Sequence, residues 1–232
     1  MAFSDNRKTA VVSGLWASLP LDFICKVSGK SDVQIEMAQR FPAPLGHALT
    51  RPLLLRTLRL NCLTRDYAPL WEELFDENWL VDRWADPTLE RTPLGTVEKD
   101  WSMATPLRTD YDRRLALVEI DALVALMLGL TAEQLCAMYR SQFAVLRKYE
   151  WEMFFAPDGH KIGAETHNRG VRQTDAEAEV VKAWKKAQLT DAPEPVIPDG
   201  WVKPDREAEM THAYEEFQRR LDAGEYPDVV EP

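Results

Sequence analysis

The stretch DYDRRLALVEIDALVALMLGLT, residues 110–131, predicts a long apolar helix that carries two carboxylates, Glu119 and Asp121, in its middle. In an ideal helix these two residues lie about 200° apart and point to opposite faces, so they cannot form a catalytic carboxylate pair. An unpaired carboxylate in such apolar surroundings is costly or becomes protonated. We therefore interpret both as structural residues that need partners elsewhere in the fold. The alternative is that one of them contributes to a site shared with a partner.

Arg113 and Arg114, in the first turn of the same helix, are assigned to the same structural set. Gly129 is expected to end the helix, since glycine is the residue most often found just beyond a helix C-terminus. Thr131 and Gln134 then match a capping box, which predicts that a new helix begins at once.

The rest of the chain predicts mostly helices with small β elements, a mainly α fold of the α+β class. In chain order, we predict a helix break near Leu19 caused by Pro20, a short strand at 32–37, helices at 49–63 and 67–84 and a long loop at 85–109. The central helix follows, and after it we predict a helix at 130–149, a hairpin at 151–162, a helix from Thr174 to about Leu189, an extended linker at 191–200 and a helix at 204–223. We divide the chain into a partial recognition element (1–46), a helical body with a terminal hairpin (47–162) and an acidic helical tail (163–232).

The composition indicates a cytoplasmic globular protein. Its 232 residues, 45% of them hydrophobic, suffice for one sizeable core or two small ones. No run of 18 apolar residues predicts a membrane span, and the first residues lack the apolar core of a secretion signal. Three widely separated cysteines in apolar surroundings predict buried free thiols in a reducing compartment: Cys25, Cys62 and Cys136.

Charge is unevenly distributed in this chain of net charge −10. Residues 1–65 hold nine Lys or Arg against four Asp or Glu, whereas residues 66–170 hold 11 against 19 and residues 171–232 hold 8 against 15. A local basic face on an acidic protein can still bind the phosphates of a nucleic acid. A solvated surface without a partner explains the charge equally well.

The sequence shows no pattern typical of a self-contained active site. The histidines, His47, His160, His167 and His212, are isolated from one another and from cysteines, so no metal site is predicted. A phosphate-binding glycine-rich loop and a nucleophile elbow are also absent from the sequence. We therefore expect this chain to bind no cofactor.

Seven short segments, in this order, resemble the C-terminal part of large N6-adenine DNA methyltransferases of the Eco57I-like class: SLPLDF (18–23), RFPAP (40–44), RTLRLN (56–61), YAPLW (67–71), RRLALVEIDA (113–122), LGLT (128–131) and YRSQFAVL (139–146). Enzymes of this class occur in restriction–modification systems and as methylases of phage-defence systems such as the BREX and DISARM types. The resemblance covers roughly residues 11–162.

In that family the catalytic half precedes this region and holds an S-adenosylmethionine loop and an Asn-Pro-Pro-Tyr motif, neither of which occurs here. The resemblance therefore implies a target-recognition and helical region without a methylase, with S-adenosylmethionine bound by a partner chain. It also implies that the chain starts partway through a recognition domain, as a split subunit or a fragment, and that residues 1–45 complete a fold supplied largely by another chain.

The resemblance gives the basic N-terminal quarter a role in binding DNA, through six cations: Lys26, Lys30, Arg40, Arg51, Arg56 and Arg59. For Arg56 and Arg59 the alternative is pairing with acids such as Glu72 or Glu73. The expected partners are DNA and a catalytic methyltransferase subunit or another defence-system protein, and no membrane.

We expect a non-catalytic DNA-recognition part of a methyltransferase complex. The first alternative is a helical scaffold that binds only protein, with the aromatic residues Trp71, Phe75, Trp79, Trp84, Trp101 and Trp151 as interface anchors unless they belong to the core. A stand-alone enzyme is the weakest of the three hypotheses.

Overall fold

The computed structural model describes residues 5–29, 35–88, 91–164 and 172–226. Within these residues the fold is mainly helical with one small antiparallel sheet, which confirms the predicted fold class. The helices are α1 (Asn6–Trp16), α2 (Leu19–Val27), α3 (Ile35–Ala38), α4 (Thr50–Asn61), α5 (Ala68–Leu74), α6 (Asp110–Met127), α7 (Ala132–Gln142), α8 (Ala144–Trp151), α9 (Asp175–Leu189) and α10 (Arg206–Asp222), and the strands are β1 (Met153–Phe155) and β2 (Lys161–Gly163).

Helix α6 is the centre of the fold. It packs most extensively against α10 and also lies against α4, α7 and α2. Its inward side chains, such as Ile120 and Leu123, are completely buried. One apolar core joins Leu15 of α1, Leu53 of α4 and Phe217 of α10 to this helix, so the core crosses both of the boundaries at which we divided the sequence.

Several local signals act as the sequence predicts. Pro52 lies in the first turn of α4, and α6 ends just before Gly129. The threonine hydroxyl groups of Thr131 and Thr174 each complete a capping box at the start of α7 and α9. The first N–H groups of a helix have no acceptor within the helix, and in each capping box a side chain accepts from one of them. The start of such a helix can therefore be predicted from the sequence.

Three predicted elements differ from the structure. Residues 35–37 of the predicted strand belong to the short helix α3, while 30–34 lie outside the described residues. The helix predicted at 67–84 stops at Leu74, because Phe75 is extended and Asp76 caps a separate 3₁₀ turn. The helix predicted at 130–149 is divided into α7 and α8 at Phe143, whose ring is buried with Leu19 and Tyr139 in a second apolar cluster.

The break expected near Leu19 lies slightly earlier, between Trp16 and Leu19, and Pro20 occupies the first turn of α2 instead of ending α1. Among the described residues no single helix has the length and apolarity to cross a membrane; α1 and α2 pass that test only as a pair bent by 68°.

The tryptophans of the 67–84 segment belong to the core and are not free interface anchors. Trp71, Trp79 and Trp84 are buried, and the rings of Trp71 and Trp79 lie 5.5 Å apart. Each indole N–H donates to a backbone carbonyl outside regular structure or at its edge: Trp71 to Glu98, Trp79 to Arg51 and Trp84 to Thr92. These tryptophans therefore fill the core and also hold neighbouring backbone segments against it through their indole N–H groups.

The predicted hairpin is present, with β1 and β2 paired antiparallel and Gly159 of its turn at φ 84°. Its Phe154 and Ile162 pack against Val181 of α9 in a small third cluster. All three cysteines are free, and Cys62 and Cys136 are buried as predicted. Cys25 is only partly buried, because it lies on the half-exposed end of α2.

Candidate nucleic-acid interface

Arg56 and Arg59, two members of the predicted DNA-binding set, are buried inside the fold. They are 0% and 1% exposed. Arg56 Nε donates to Glu119 Oε2 at 2.6 Å, and its Nη1 donates to Asp82 Oδ2 at 2.9 Å. A side chain enclosed and paired in this way does not reach a nucleic acid. The assignment of these two arginines to DNA was therefore wrong. The alternative, pairing with acids, holds for Arg56, although its partners are Asp82 and Glu119 and not Glu72 or Glu73.

Arg59 binds the long loop that follows residue 84. Its Nε donates to the carbonyl of Thr105 at 2.9 Å and its Nη1 to that of Leu94 at 2.7 Å. Burial lowers the pKa of Arg59 to about 10, so it stays protonated at neutral pH. The loop lies so close at Gly95 that an added Cβ would stand 2.6 Å from the carbonyl oxygen of Trp79. Nothing in the sequence indicated that Arg59 would donate hydrogen bonds to the backbone of this loop.

Asp121 belongs to a second buried network, between α6, α8 and α10. Its Oδ1 accepts the Leu19 N–H at 2.7 Å and its Oδ2 accepts Arg206 Nη2 at 2.7 Å. Arg206 Nη1 also donates to Glu150, which accepts Arg114 Nε at 3.0 Å. Burial alone would raise the pKa of Glu150, but the two guanidinium groups outweigh it and hold that pKa below its usual value.

The structural set of the central helix makes its contacts within the chain. Glu119 accepts from Arg56 and from the Ala85 N–H, and Arg114 pairs with Glu150 and Glu209. Arg113 Nη1 donates to the carbonyls of Leu60 and Leu107. Glu119 and Asp121 thus face different neighbours, as the 200° separation predicts, and the partner arginines come from opposite ends of the sequence.

An open groove of about 770 Å³ lies over the second network, between α8 and the segment that leads into α10. We call it the α8 groove; its lining includes Tyr139, Ala144, Arg147, Lys148, Glu150, Trp151, Lys203, Asp205, Arg206 and Glu207. Aromatic surface is available beside it, since Trp151 is 37% exposed and Tyr149, on the same helix, is 46% exposed.

The carboxylates of the α8 groove are already engaged. Glu150 is held by two guanidinium groups, Glu207 accepts Arg140 Nη1 at 2.8 Å, and Asp205 caps the N-terminus of α10. Arg147 and Lys148 are exposed, and neither makes an ion pair among the described residues. The free charge of the groove is therefore positive, next to aromatic rings, which is the combination that suits nucleic-acid backbone and bases.

Lys203 lines the α8 groove but serves the fold. Its Nζ donates to the carbonyls of Glu150, Trp151 and Met153 at 3.0, 2.7 and 3.1 Å, and so satisfies the C-terminal end of α8. Burial lowers the pKa of Lys203 to about 8. With its donors committed to these carbonyls, Lys203 is not free to bind a phosphate.

The other predicted DNA-binding residues are dispersed. Lys26 is exposed at the end of α2, pairs with Asp22 at 2.7 Å and lies 4.7 Å from the ring of Phe143, at the α7–α8 junction. Arg40 is exposed after α3. Arg51 is half-buried and its Nε lies 3.2 Å from Asp76. Lys30 lies outside the described residues. Of the described members of the set, Lys26 is the one that contacts the α7–α8 junction.

Sequence reasoning missed Arg147, Lys148 and Arg206. The adjacent cations Arg147 and Lys148, followed by Tyr149 and Trp151, form a basic and aromatic run that was readable. The role of Arg206 was not readable, because its partner Asp121 lies 85 residues away.

No group of side chains suited to a metal ion occurs among the described residues. Comparison with known proteins gives no matching family model, no significantly similar curated protein and no significantly similar solved structure.

Proposed function

We propose that this chain is the non-catalytic DNA-recognition part of an N6-adenine DNA methyltransferase complex, of the restriction–modification or anti-phage kind. Methyl transfer and the binding of S-adenosylmethionine would belong to a partner chain, which flips the target adenine out of the duplex. The proposal rests on the resemblance of the ordered segments between residues 11 and 162.

The observation that carries it is the way those segments meet in the fold. The N–H of Leu19, in the first segment, donates to Asp121, and Arg56, in the third, pairs with Glu119. Both acids belong to the segment RRLALVEIDA. If the resemblance reflects a shared fold, residues that are distant in sequence but make direct buried contacts are those that the fold would keep together.

In this proposal the α8 groove contributes contacts to phosphate. Arg147 and Lys148 carry charge that no described carboxylate neutralises. Lys26 lies over the ring of Phe143, at the α7–α8 junction, and is paired with Asp22. Contacts of this kind position a duplex and make its binding depend on salt, while base recognition and chemistry take place elsewhere in the complex.

The test is DNA affinity of the complex with its methylase subunit, measured by fluorescence anisotropy over a range of salt concentrations. Replacing Arg147 and Lys148 by Glu should weaken binding and reduce the salt slope by about 0.9 for each phosphate that the variant no longer neutralises. Lys99→Glu plus Lys186→Glu is the matched control, since both lysines are exposed away from the groove. The paired change Lys26→Glu plus Lys30→Glu tests the N-terminal turn in the same way.

Unchanged affinity and slope in the Arg147 and Lys148 variant would contradict the assignment of DNA to the groove. Methyl transfer to DNA by the purified chain alone would contradict a non-catalytic role.

A second candidate is a helical scaffold that binds only protein. It is favoured by Val145 and Tyr149, which are 69% and 46% exposed on α8, and by the net charge of −10. Capture of the tagged chain from its native source separates the two functions: a partner set without a methylase favours the scaffold.

A further inference from the structure

A cavity of about 230 Å³ lies between α6, α10 and the backbone just after Trp84, on a different part of the fold from the α8 groove. Its walls include Leu115, Val118 and Ala213. Pockets for drug-sized ligands usually measure ~300–1,000 Å³, so this cavity fits a smaller molecule with an apolar body.

Tyr111 brings an uncommitted hydroxyl group to this cavity. The residue is 2% exposed, and both faces of its ring are covered, by Phe155 with a centroid distance of 4.8 Å and by the Arg91 guanidinium at 4.2 Å. Tyr111 lines the cavity, and its covered faces leave the edge of the ring to face it. The hydroxyl group on that edge makes no hydrogen bond among the described residues, so it is available to a molecule in the cavity.

One carboxylate of the cavity lining, that of Asp86, has no ion-pair partner among the described residues, and the nearby Arg91 guanidinium is stacked on the Tyr111 ring. Glu119 is neutralised by Arg56, and Glu209 pairs through one oxygen with Arg114. Asp86 accepts only from the N–H and hydroxyl groups of Thr88, and no cation pairs with it among the described residues. Burial raises the pKa of Glu209, while His212 lies exposed at the rim.

We propose that this cavity binds a small organic cation: an amine or amidine on an aromatic or branched alkyl body. The body would pack on Leu115, Val118 and Ala213. The cationic group, which can only donate hydrogen bonds, would donate to Asp86 and to the oxygen atom of Tyr111. This site does not depend on the proposed binding of DNA.

Benzylamine and its neutral analogue benzyl alcohol test the proposal on the full chain, by isothermal titration calorimetry and ligand-observed NMR. We expect saturable 1:1 binding of benzylamine, about tenfold or more tighter than benzyl alcohol, because a hydrogen bond to a charged group contributes more than a neutral one. Absence of saturable binding, or equal affinity for the two probes, overturns the proposal.

Asp86→Asn tests whether the carboxylate of Asp86 binds the cation, since asparagine keeps an acceptor for Thr88 and removes the negative charge. It should lower the affinity for benzylamine to that of benzyl alcohol, while the control Asp100→Asn, at an exposed acid outside the cavity, changes neither. Ala213→Leu should fill the cavity and abolish binding of both probes. If benzylamine binds Asp86→Asn as tightly as the unaltered chain, the proposed site is wrong; this variant preserves shape and so remains informative if Ala213→Leu fails to fold.

Discussion

Two proline-containing segments, 85–109 and 191–200, have no helix or strand. They differ in whether side chains donate hydrogen bonds to their backbone. The loop at 85–109 is described except for residues 89 and 90. Several side chains donate hydrogen bonds to its backbone carbonyls, among them those of Arg59, Trp71 and Trp84. In the linker at 191–200, no side chain in the described part of the chain donates to a backbone carbonyl, and Val196 is 90% exposed.

The difference shows what fixes irregular backbone. Prolines restrict φ in both segments, but a buried carbonyl still needs a donor, and helices or strands supply none here. Guanidinium and indole groups supply those donors to the loop. In the linker the carbonyl of Pro198 accepts from the Trp201 N–H, and the chain is fixed just beyond it, where Val202 exchanges two backbone hydrogen bonds with Phe155.

The largest expected effect comes from breaking the ion pair behind the loop. Arg56→Ala leaves Glu119 buried without its cation, and we expect the free energy of unfolding to fall by about 3–5 kcal/mol. Urea denaturation measures this, with Arg40→Ala as the exposed control that changes stability by no more than about 0.5 kcal/mol. Equal effects of the two substitutions would show that the buried pair does not stabilise the fold.

Arg59→Met should have a smaller effect, about 1–3 kcal/mol, because it leaves neutral carbonyls unpaired and not a carboxylate. It should also expose Cys62, which lies under the loop with its carbonyl bound to Trp101 and whose pKa burial raises to about 11. Iodoacetamide labelling followed by peptide mass spectrometry should show faster modification of Cys62 in the variant. Unaltered protection of Cys62 would indicate that Arg59 does not hold the loop.

On the linker side, Lys203 gives a pH dependence of defined sign. Its folded pKa, about 8, lies below its usual 10.5, so between these values the unfolded chain binds more protons. The contribution of Lys203 to stability therefore rises with pH in this window. Urea midpoints of the unaltered chain and of Lys203→Met should diverge from pH 7 to pH 10, in favour of the unaltered chain. A difference that stays constant or narrows contradicts the assignment.

The smallest effect is expected from lengthening the linker. Four Gly or Ser residues inserted after Pro193 should cost about 0.6 kcal/mol or less, since closing a longer flexible loop adds little entropy. The same insertion before Gly95 should cost several times more, because the pinned loop lies against backbone there. Thermal unfolding of the two insertion variants compares them directly, and equal losses would remove the distinction between the segments.

Local signals could be predicted from the sequence, whereas contacts between residues far apart in the chain could not. Signals that act within a few residues, such as Pro52, the capping box of Thr131 and the Gly159 turn, gave correct elements. The uses of Arg56, Arg59 and Arg206 depend on partners far along the chain. Local charge and the family resemblance instead placed the first two on a DNA-binding surface. The strand predicted at 32–37 was wrong for residues 35–37, because alternation over six residues is weak evidence against a helix.

The position of Arg206 has a consequence for how the chain matures during synthesis. Glu119 receives its cation from Arg56, which the ribosome makes earlier, but Asp121 receives its cation from α10, made much later. Until α10 has emerged, the central helix exposes one unneutralised carboxylate on a face destined for the interior. A nascent chain paused before residue 206 should therefore remain open along that face, and it should close when α10 arrives.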